Sequence, residues 1–207
     1  PLTYALIQQI LGGGVLETEH FINWLAYIYQ KKQKTMTAWI LTGVPGTGKG
    51  LFVHKVLKPL FGDSQVPMRA IENLEEQFNL YMRMALFLVV DEFRMGDSGN
   101  IARMADKLKH QITEPTLTVR AMRANQVELP SFCNFIFLTN RADAVKIEEG
   151  DRRYNVAPRQ ERKLDKAFPQ LLTRLDDLDK ELYLFSGLLE HFQVDERMAH
   201  TALDNDA

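Results

Sequence analysis

The segment GVPGTGKG, residues 43–50, constrains the fold more than any other part of the sequence. It lies between the apolar segment AWILT and the segment KGLFVHKVLKPLFG, an order that predicts a strand, a glycine loop and a helix ended by Pro59 and Gly62. The pattern G-x-x-x-x-G-K-[ST] of a phosphate-binding loop is complete except at Gly50, where a hydroxyl residue is usual. A plain glycine and proline turn is the alternative reading.

In a phosphate-binding loop, glycines allow backbone N–H groups to surround phosphate oxygens, and the lysine reaches the β- and γ-phosphates. The sequence therefore predicts an ATP site on an α/β domain. The residues expected to contact the nucleotide are Gly43, Val44, Pro45, Gly46, Thr47, Gly48, Lys49, Gly50 and Leu51.

Two acidic residues follow the apolar segment ALFLVV, which predicts a second buried strand. At its carboxyl end, Asp91 is expected to hold Mg²⁺ and Glu92 to polarise a water molecule. Mg²⁺ takes its other oxygens from phosphates and water, so a water molecule can replace the hydroxyl that Gly50 lacks. The alternative is a strand that simply ends in solvated acids.

Two more segments carry polar residues of interest. NFIFLTN predicts a strand that ends at Asn140, which could orient the attacking water or merely open a turn. GDRRYNV contains Arg152 and Arg153, which are either solvated or supply positive charge to the γ-phosphate of a neighbouring subunit. Between the second and third strands, residues 99–112 predict a helix and residues 116–129 a hairpin.

Strands that alternate with helices predict a parallel sheet, with a helical segment at 1–36, a core at 37–160 and a helical segment at 161–207. Helices are expected over residues 17–29 and 71–84, and a frayed tail after the last helix.

The net charge of −2 gives no global attraction to nucleic acid. We expect a soluble cytoplasmic protein without a membrane helix, in which the single cysteine, Cys133, fills the core.

The ordered motifs GVPGTGKG, LVVDE, FLTN and DRRYNV resemble superfamily 3 helicases, which are AAA+-like ATPases of small viruses, phages and plasmids. The similarity is greatest to the helicase part of phage and plasmid primase-helicases, and it covers roughly residues 17–160. It implies that Lys49 belongs to Walker A, Asp91 and Glu92 to Walker B, and Asn140 to sensor 1. It also implies that Arg152 or Arg153 is an arginine finger.

The resemblance further implies a hexameric ring on single-stranded DNA, in host cytoplasm if a phage encodes the protein, with a covalently linked primase or polymerase domain. In this superfamily the hairpin before sensor 1 grips the DNA backbone, which here assigns DNA binding to Arg120, Arg123 and Asn125. Two alternatives remain open. One is a phosphotransferase with the same loop, and the other is a nucleotide-dependent DNA-loading module with little turnover.

Overall fold

The computed structural model describes residues 1–74, 82–94, 99–120, 126–142 and 151–204. Its strands are β1 (Ala38–Thr42), β2 (Met68–Ala70), β3 (Phe87–Asp91), β4 (Thr116–Arg120), β5 (Gln126–Pro130), β6 (Asn134–Thr139) and β7 (Tyr154–Val156). Within these ranges, five strands form a parallel sheet in the order β2-β3-β6-β1-β7, and β4 and β5 form an antiparallel hairpin. The predicted α/β fold with a parallel sheet is confirmed.

Helices cover both faces of the sheet. They are α1 (Leu2–Ile10), α2 (Val15–Lys31), α3 (Lys49–Phe52), α4 (Lys58–Phe61), α5 (Gly99–Thr113), α6 (Leu164–Ala167), α7 (Pro169–Thr173), α8 (Leu175–His191) and α9 (Glu196–Ala199). Among the described residues, no helix has the length and apolar character needed to cross a membrane.

The helix after the glycine loop continues past the proline that was expected to end it. α3 passes through a π-helical turn, Val53–Leu57, directly into α4, and Pro59 lies in the first turn of α4. Inside a continuous helix a proline cannot donate to an earlier carbonyl, and the π turn immediately before Pro59 changes the pairing of those carbonyls. The helix ends at Gly62, with φ of 94°, as predicted.

Alternate residues of each strand point to opposite faces, and each face has its own hydrophobic cluster. In β1, Trp39 and Leu41 contribute to the cluster formed with α1, α2, α3 and α8, whereas Ala38 and Ile40 contribute to the cluster with α5 and the hairpin. The helical segments before and after the core therefore share one hydrophobic cluster with the sheet. Cys133 is fully buried in the second cluster, as predicted for a core residue.

Polar side chains fix the two ends of the chain to this core. Glu181 of α8 accepts hydrogen bonds from the backbone N–H groups of Leu2 and Thr3, both at 2.9 Å. The tail expected to fray is instead packed: the backbone N–H of Leu203 donates to Asn155 Oδ1 at 2.7 Å. The prediction of a frayed tail was wrong as far as residue 204, because buried polar partners on the sheet hold it.

Buried Lys34, which precedes β1, secures the helix before the hairpin. Its ammonium donates to the backbone carbonyls of Gln111 and Glu114 at the carboxyl end of α5. Burial lowers the pKa of Lys34 to about 8. Cations at this end of a helix satisfy its free carbonyls, so the lysine holds α5 and the base of the hairpin against the sheet.

The predicted helix at 17–29 corresponds to α2, and the predicted strands before the glycine loop, before Asp91 and before Asn140 correspond to β1, β3 and β6. Half of the predicted helix at 71–84, residues 75–81, lies outside the described residues, and Ile71–Asn73 form a short 3-10 helix. The strands β2 and β7, each of three residues, were not predicted from the sequence. Strands this short have too few alternating positions to produce a pattern.

Candidate functional site

The glycine loop joins β1 to α3 in a conformation that requires its glycines. Gly46 and Gly48 have φ of 88° and 104°, in the left-handed region that side chains disfavour. A Cβ on Gly48 would also lie 3.0 Å from Leu6 Cδ1 of α1. The N-terminal helix therefore packs directly beneath the loop, and a larger residue at position 48 would disturb both.

A second segment fixes the loop from the side. The chain after β7 runs beside β1, where Val44 N–H donates to Gln160 O at 2.9 Å and Gln160 N–H donates to Thr42 O at 3.0 Å. Leu164 N–H then donates to Gly46 O at 2.8 Å. The loop is thus held on both sides of its turn by residues about 115 positions later in the chain.

Lys49 is buried and folds back onto the loop. Its Nζ donates to Gly43 O at 2.8 Å and to Thr47 Oγ1 at 3.2 Å. Burial, followed by the positive charge of Arg159, lowers the pKa of Lys49 to about 8, while the charge of Asp91 opposes the shift. A buried cation held by carbonyl and hydroxyl oxygens is poised to accept an anion in their place.

Asp91 and Asn140 reach the same edge of the sheet as the loop. β6 pairs with β1 on one side and with β3 on the other, so Asn140 follows the strand that separates the loop from Asp91. Glu92 has φ of 53° and an exposed side chain, and its N–H donates to Asp91 Oδ1 at 2.9 Å. The carboxyl ends of parallel strands therefore bring three of the predicted functional positions together.

A cleft of about 770 Å³ opens at this edge. It is lined by residues 45–51 of the loop and α3, by Asp91, Leu138 and Asn140, and by Lys163, Leu164, Asp165 and Leu172. Its volume and its mixture of polar and apolar walls are those of a small-molecule site. The cleft has room for a whole nucleotide, beyond the phosphates that the loop alone would bind.

The cleft also fits a magnesium ion carried by a nucleotide. Two carboxylates, Asp91 and Asp165, line it, and a Cβ on Gly50 would meet nothing within 4 Å, which leaves room for water. No cluster of three or more His, Cys, Asp or Glu residues suited to a metal occurs in the part of the chain that the structure describes. This donor set suits Mg²⁺, which is held by one or two carboxylates and phosphate oxygens.

Two cations near the loop were not predicted from the sequence. Arg159 Nη1 donates to the backbone carbonyl of Asn140 at 3.0 Å, and Lys163 lines the cleft. Both belong to the segment that follows β7, whose position depends on pairing with β1. No local motif marks them, and only the predicted proximity of this segment to the loop could have indicated them.

Arg152 and Arg153 lie at the amino ends of the strands, whereas the loop lies at the carboxyl ends. This follows because both arginines precede β7, the loop follows β1, and the two strands are parallel. Arg153 donates to Asp151 through Nε and Nη2, both at 2.8 Å, and only 2% of the Asp151 side chain is exposed. Burial raises the pKa of Asp151, but the hydrogen bonds and charge of Arg153 bring it below its ordinary value. Arg152 is exposed, so the structure distinguishes two arginines that the sequence left equivalent.

The hairpin predicted before β6 is present as β4 and β5, paired from Thr116 with Pro130 to Arg120 with Gln126. Arg120 is the last residue of β4, and its side chain lies outside the described residues, as do Arg123 and Asn125. The structure therefore supports the strands of the hairpin, and the assignment of DNA contacts to its tip stays a prediction.

Comparisons with known proteins relate the chain to a phage DNA primase-polymerase. Residues 41–153 match the model of a family of unknown function, DUF5906. The DNA Primase-polymerase of Nitratiruptor phage NrS-1 is 40% identical over 136 residues, which are 66% of this chain and 19% of that protein. The chain therefore spans about a fifth of this relative and is related to a phage replication protein.

Solved structures extend the match over nearly the whole chain. An A form apo structure of the NrS-1 C-terminal region is 30% identical, with a TM-score of 0.85, and the match covers 99% of this chain and 48% of that one. A second apo structure of the region gives a TM-score of 0.86 over 98% of this chain and 48% of the other. The shared fold thus includes the helices before and after residues 41–153.

Two glycines in the loop provide a matched stability test. We expect Gly48→Ala to destabilise the fold by about 1–3 kcal/mol, because alanine is strained at this φ and meets Leu6. Gly50→Ala, on α3 with open space around it, should be neutral or stabilise by up to about 1 kcal/mol. Urea unfolding followed by circular dichroism measures both, and equal effects would contradict the loop conformation.

Proposed function

The chain belongs to the DUF5906 family, and we propose that it is the ATP-hydrolysing helicase or translocase module of a phage or plasmid replication protein. The observation that carries the proposal is the cleft in which Lys49, Asp91 and Asn140 meet at one edge of a parallel sheet. Its relationship to a phage primase-polymerase supports a role in replication. The match to a fifth of that protein supports a linked primase or polymerase domain.

The proposed reaction is attack of water on the γ-phosphate of ATP. Lys49 would exchange Gly43 O and Thr47 Oγ1 for phosphate oxygens, and at neutral pH it is mostly protonated because its pKa is about 8. Asp91 would hold Mg²⁺, which supplies charge neutralisation on the phosphates when bound. Glu92 would take the proton from the water, and Asn140 would orient that water.

An assembly into a ring, with six subunits as the resemblance implies, is supported by the position of Arg152. It is exposed at the amino ends of the strands, away from its own loop, and this position supports a role at the nucleotide of another copy. Arg153 has a different role in this proposal, since its guanidinium is held by buried Asp151 within the same chain. We therefore assign the arginine finger to Arg152.

Single-stranded DNA is the proposed polymer substrate, and the hairpin of β4 and β5 is its proposed contact. The base of the hairpin is anchored on the sheet by Leu117 and Val119, which are buried. Arg120, Arg123 and Asn125 would contact the phosphate backbone from the tip of the hairpin. Repetition of two arginines around a ring would attract DNA even though each chain is net acidic.

Replacement of the two acids after β3 tests the proposed hydrolysis. We expect Asp91→Ala to lose metal-dependent ATPase activity, and Glu92→Gln to bind ATP while its turnover falls by about 10²- to 10⁴-fold. Asp176→Asn, on the exposed first turn of α8, is the control and should behave as wild type. Phosphate release and binding of labelled ATP measure both steps, and normal hydrolysis by Asp91→Ala would contradict the assignment.

The same assay on the wild-type chain separates the motor from the two alternatives, a DNA-loading module with little turnover and a phosphotransferase. DNA-stimulated hydrolysis supports the motor, binding of ATP without turnover supports the loading module, and transfer of phosphate to a small molecule supports the phosphotransferase. Gly50→Ser should keep or improve metal affinity, because the space around Gly50 accepts a hydroxyl.

Replacement of both Arg120 and Arg123 with alanine tests the DNA contact. We expect weaker binding of single-stranded DNA and a smaller salt dependence of the binding constant, because fewer counterions are released. ATPase activity without DNA should not change. Fluorescence anisotropy at several salt concentrations provides the measurement, and an unchanged affinity and salt slope would exclude the hairpin as the contact.

Mixing two inactive variants tests whether Arg152 acts as an arginine finger for a neighbouring subunit. Lys49→Ala should not use ATP but still offers Arg152, whereas Arg152→Ala binds ATP and should lose about 10³-fold or more in rate. In mixed rings some interfaces pair an intact loop with an intact finger, so activity should exceed that of either variant alone. Mixtures that stay inactive while rings form and exchange subunits would show that Arg152 does not act in trans.

A further inference from the structure

Arg159 occupies a fixed position beside the phosphate loop. The preceding residues continue the pairing of β7, since Ala157 N–H donates to Ile40 O at 3.0 Å. The following residue, Gln160, exchanges backbone hydrogen bonds with the start of the loop. Arg159 is therefore held from both sides, and its backbone position depends on the same contacts as that of the loop.

The guanidinium of Arg159 has two acceptors of different character. Nη1 donates to Asn140 O at 3.0 Å, and Nε donates to Glu161 Oε1 at 2.6 Å. The Glu161 side chain is 67% exposed, compared with 27% for Arg159. An ion pair with such an exposed carboxylate contributes little free energy, so another anion can replace Glu161 at small cost.

Arg159 also lies within electrostatic reach of Lys49. Burial is the larger cause of the low pKa of Lys49, and the positive charge of Arg159 is the second. Asp91 is the acidic group that opposes this shift. Asn140, whose carbonyl holds Arg159, lines the cleft that also contains Lys49. Two cations that disfavour each other are both stabilised when a polyanion binds near them.

We propose that Arg159 is a second phosphate-binding cation of this site, which acts within its own chain and exchanges Glu161 for the terminal phosphate of a nucleoside triphosphate. This inference rests on the proposed function of the cleft. Because Nη1 also holds the carbonyl of Asn140, a movement of the guanidinium toward phosphate reaches the turn after β6. Arg159 would thereby bind a triphosphate more tightly than a diphosphate. The position of Asn140 would then depend on which of the two nucleotides is bound.

The test compares the affinities for a non-hydrolysable ATP analogue and for ADP by isothermal titration calorimetry. We expect Arg159→Ala to weaken binding of the analogue by about tenfold or more, as for the loss of one charge-assisted hydrogen bond, and to change ADP affinity by less than about twofold. Arg159→Lys should recover part of the loss. Glu161→Gln should bind the analogue more tightly than wild type, because the competing carboxylate is gone.

Arg162→Ala is the matched control, since this neighbouring arginine is exposed and donates to the backbone carbonyl of Lys166. It should bind both nucleotides as wild type does. Glu161→Gln changes an exposed residue and keeps the test informative even if Arg159→Ala fails to fold.

Equal losses of analogue and ADP affinity in Arg159→Ala, or no loss of either, would overturn the inference. Unchanged analogue affinity in Glu161→Gln would overturn the exchange step. A wild-type chain that binds neither nucleotide, or a Lys49→Ala chain that binds both as well as wild type, would instead overturn the proposed function.

Discussion

The candidate site depends on the backbone hydrogen bonds between the glycine loop, residues 43–50, and the segment that follows β7. A loop rich in glycine has many accessible conformations, and its ordering costs conformational free energy. The bonds of Gln160 with Thr42 and Val44, and of Leu164 with Gly46, meet that cost during folding. The loop is therefore shaped before an anion arrives, and the anion does not have to order it. Preorganisation of this kind raises affinity without any additional contact to the ligand.

The parallel register of the sheet determines which side chains share the cleft. β6 lies between β1 and β3, so three neighbouring strands of the sheet end beneath the opening of the cleft. Their carboxyl ends place Lys49, Asn140 and Asp91 around it, although these residues are far apart in sequence. The same register places Arg152 and Arg153 at the other edge. One sheet thus keeps the cleft and this pair of arginines at opposite ends of its strands.

Contiguous patterns of apolar, glycine and polar residues made three features predictable from the sequence. These are the glycine loop, the carboxyl ends of β3 and β6, and the α/β class. Arg159 and Lys163 could not be predicted in this way, since their importance arises from the pairing of a three-residue strand with β1. The difference between Arg152 and Arg153 likewise depends on buried Asp151, whose depth has no local signal. The tail after α8 looked too polar to pack, yet buried Asn155 supplies it with a partner.

The contact of Glu181 with the start of α1 has a consequence for biosynthesis. Leu2 and Glu181 are 179 positions apart, so this contact cannot form until nearly the whole described chain has been made. At ordinary rates of translation the interval is roughly 10–40 s. During that time α1, which carries Leu6 beneath Gly48, lacks its final support. The glycine loop therefore acquires its support from α1 only late in the synthesis of the chain.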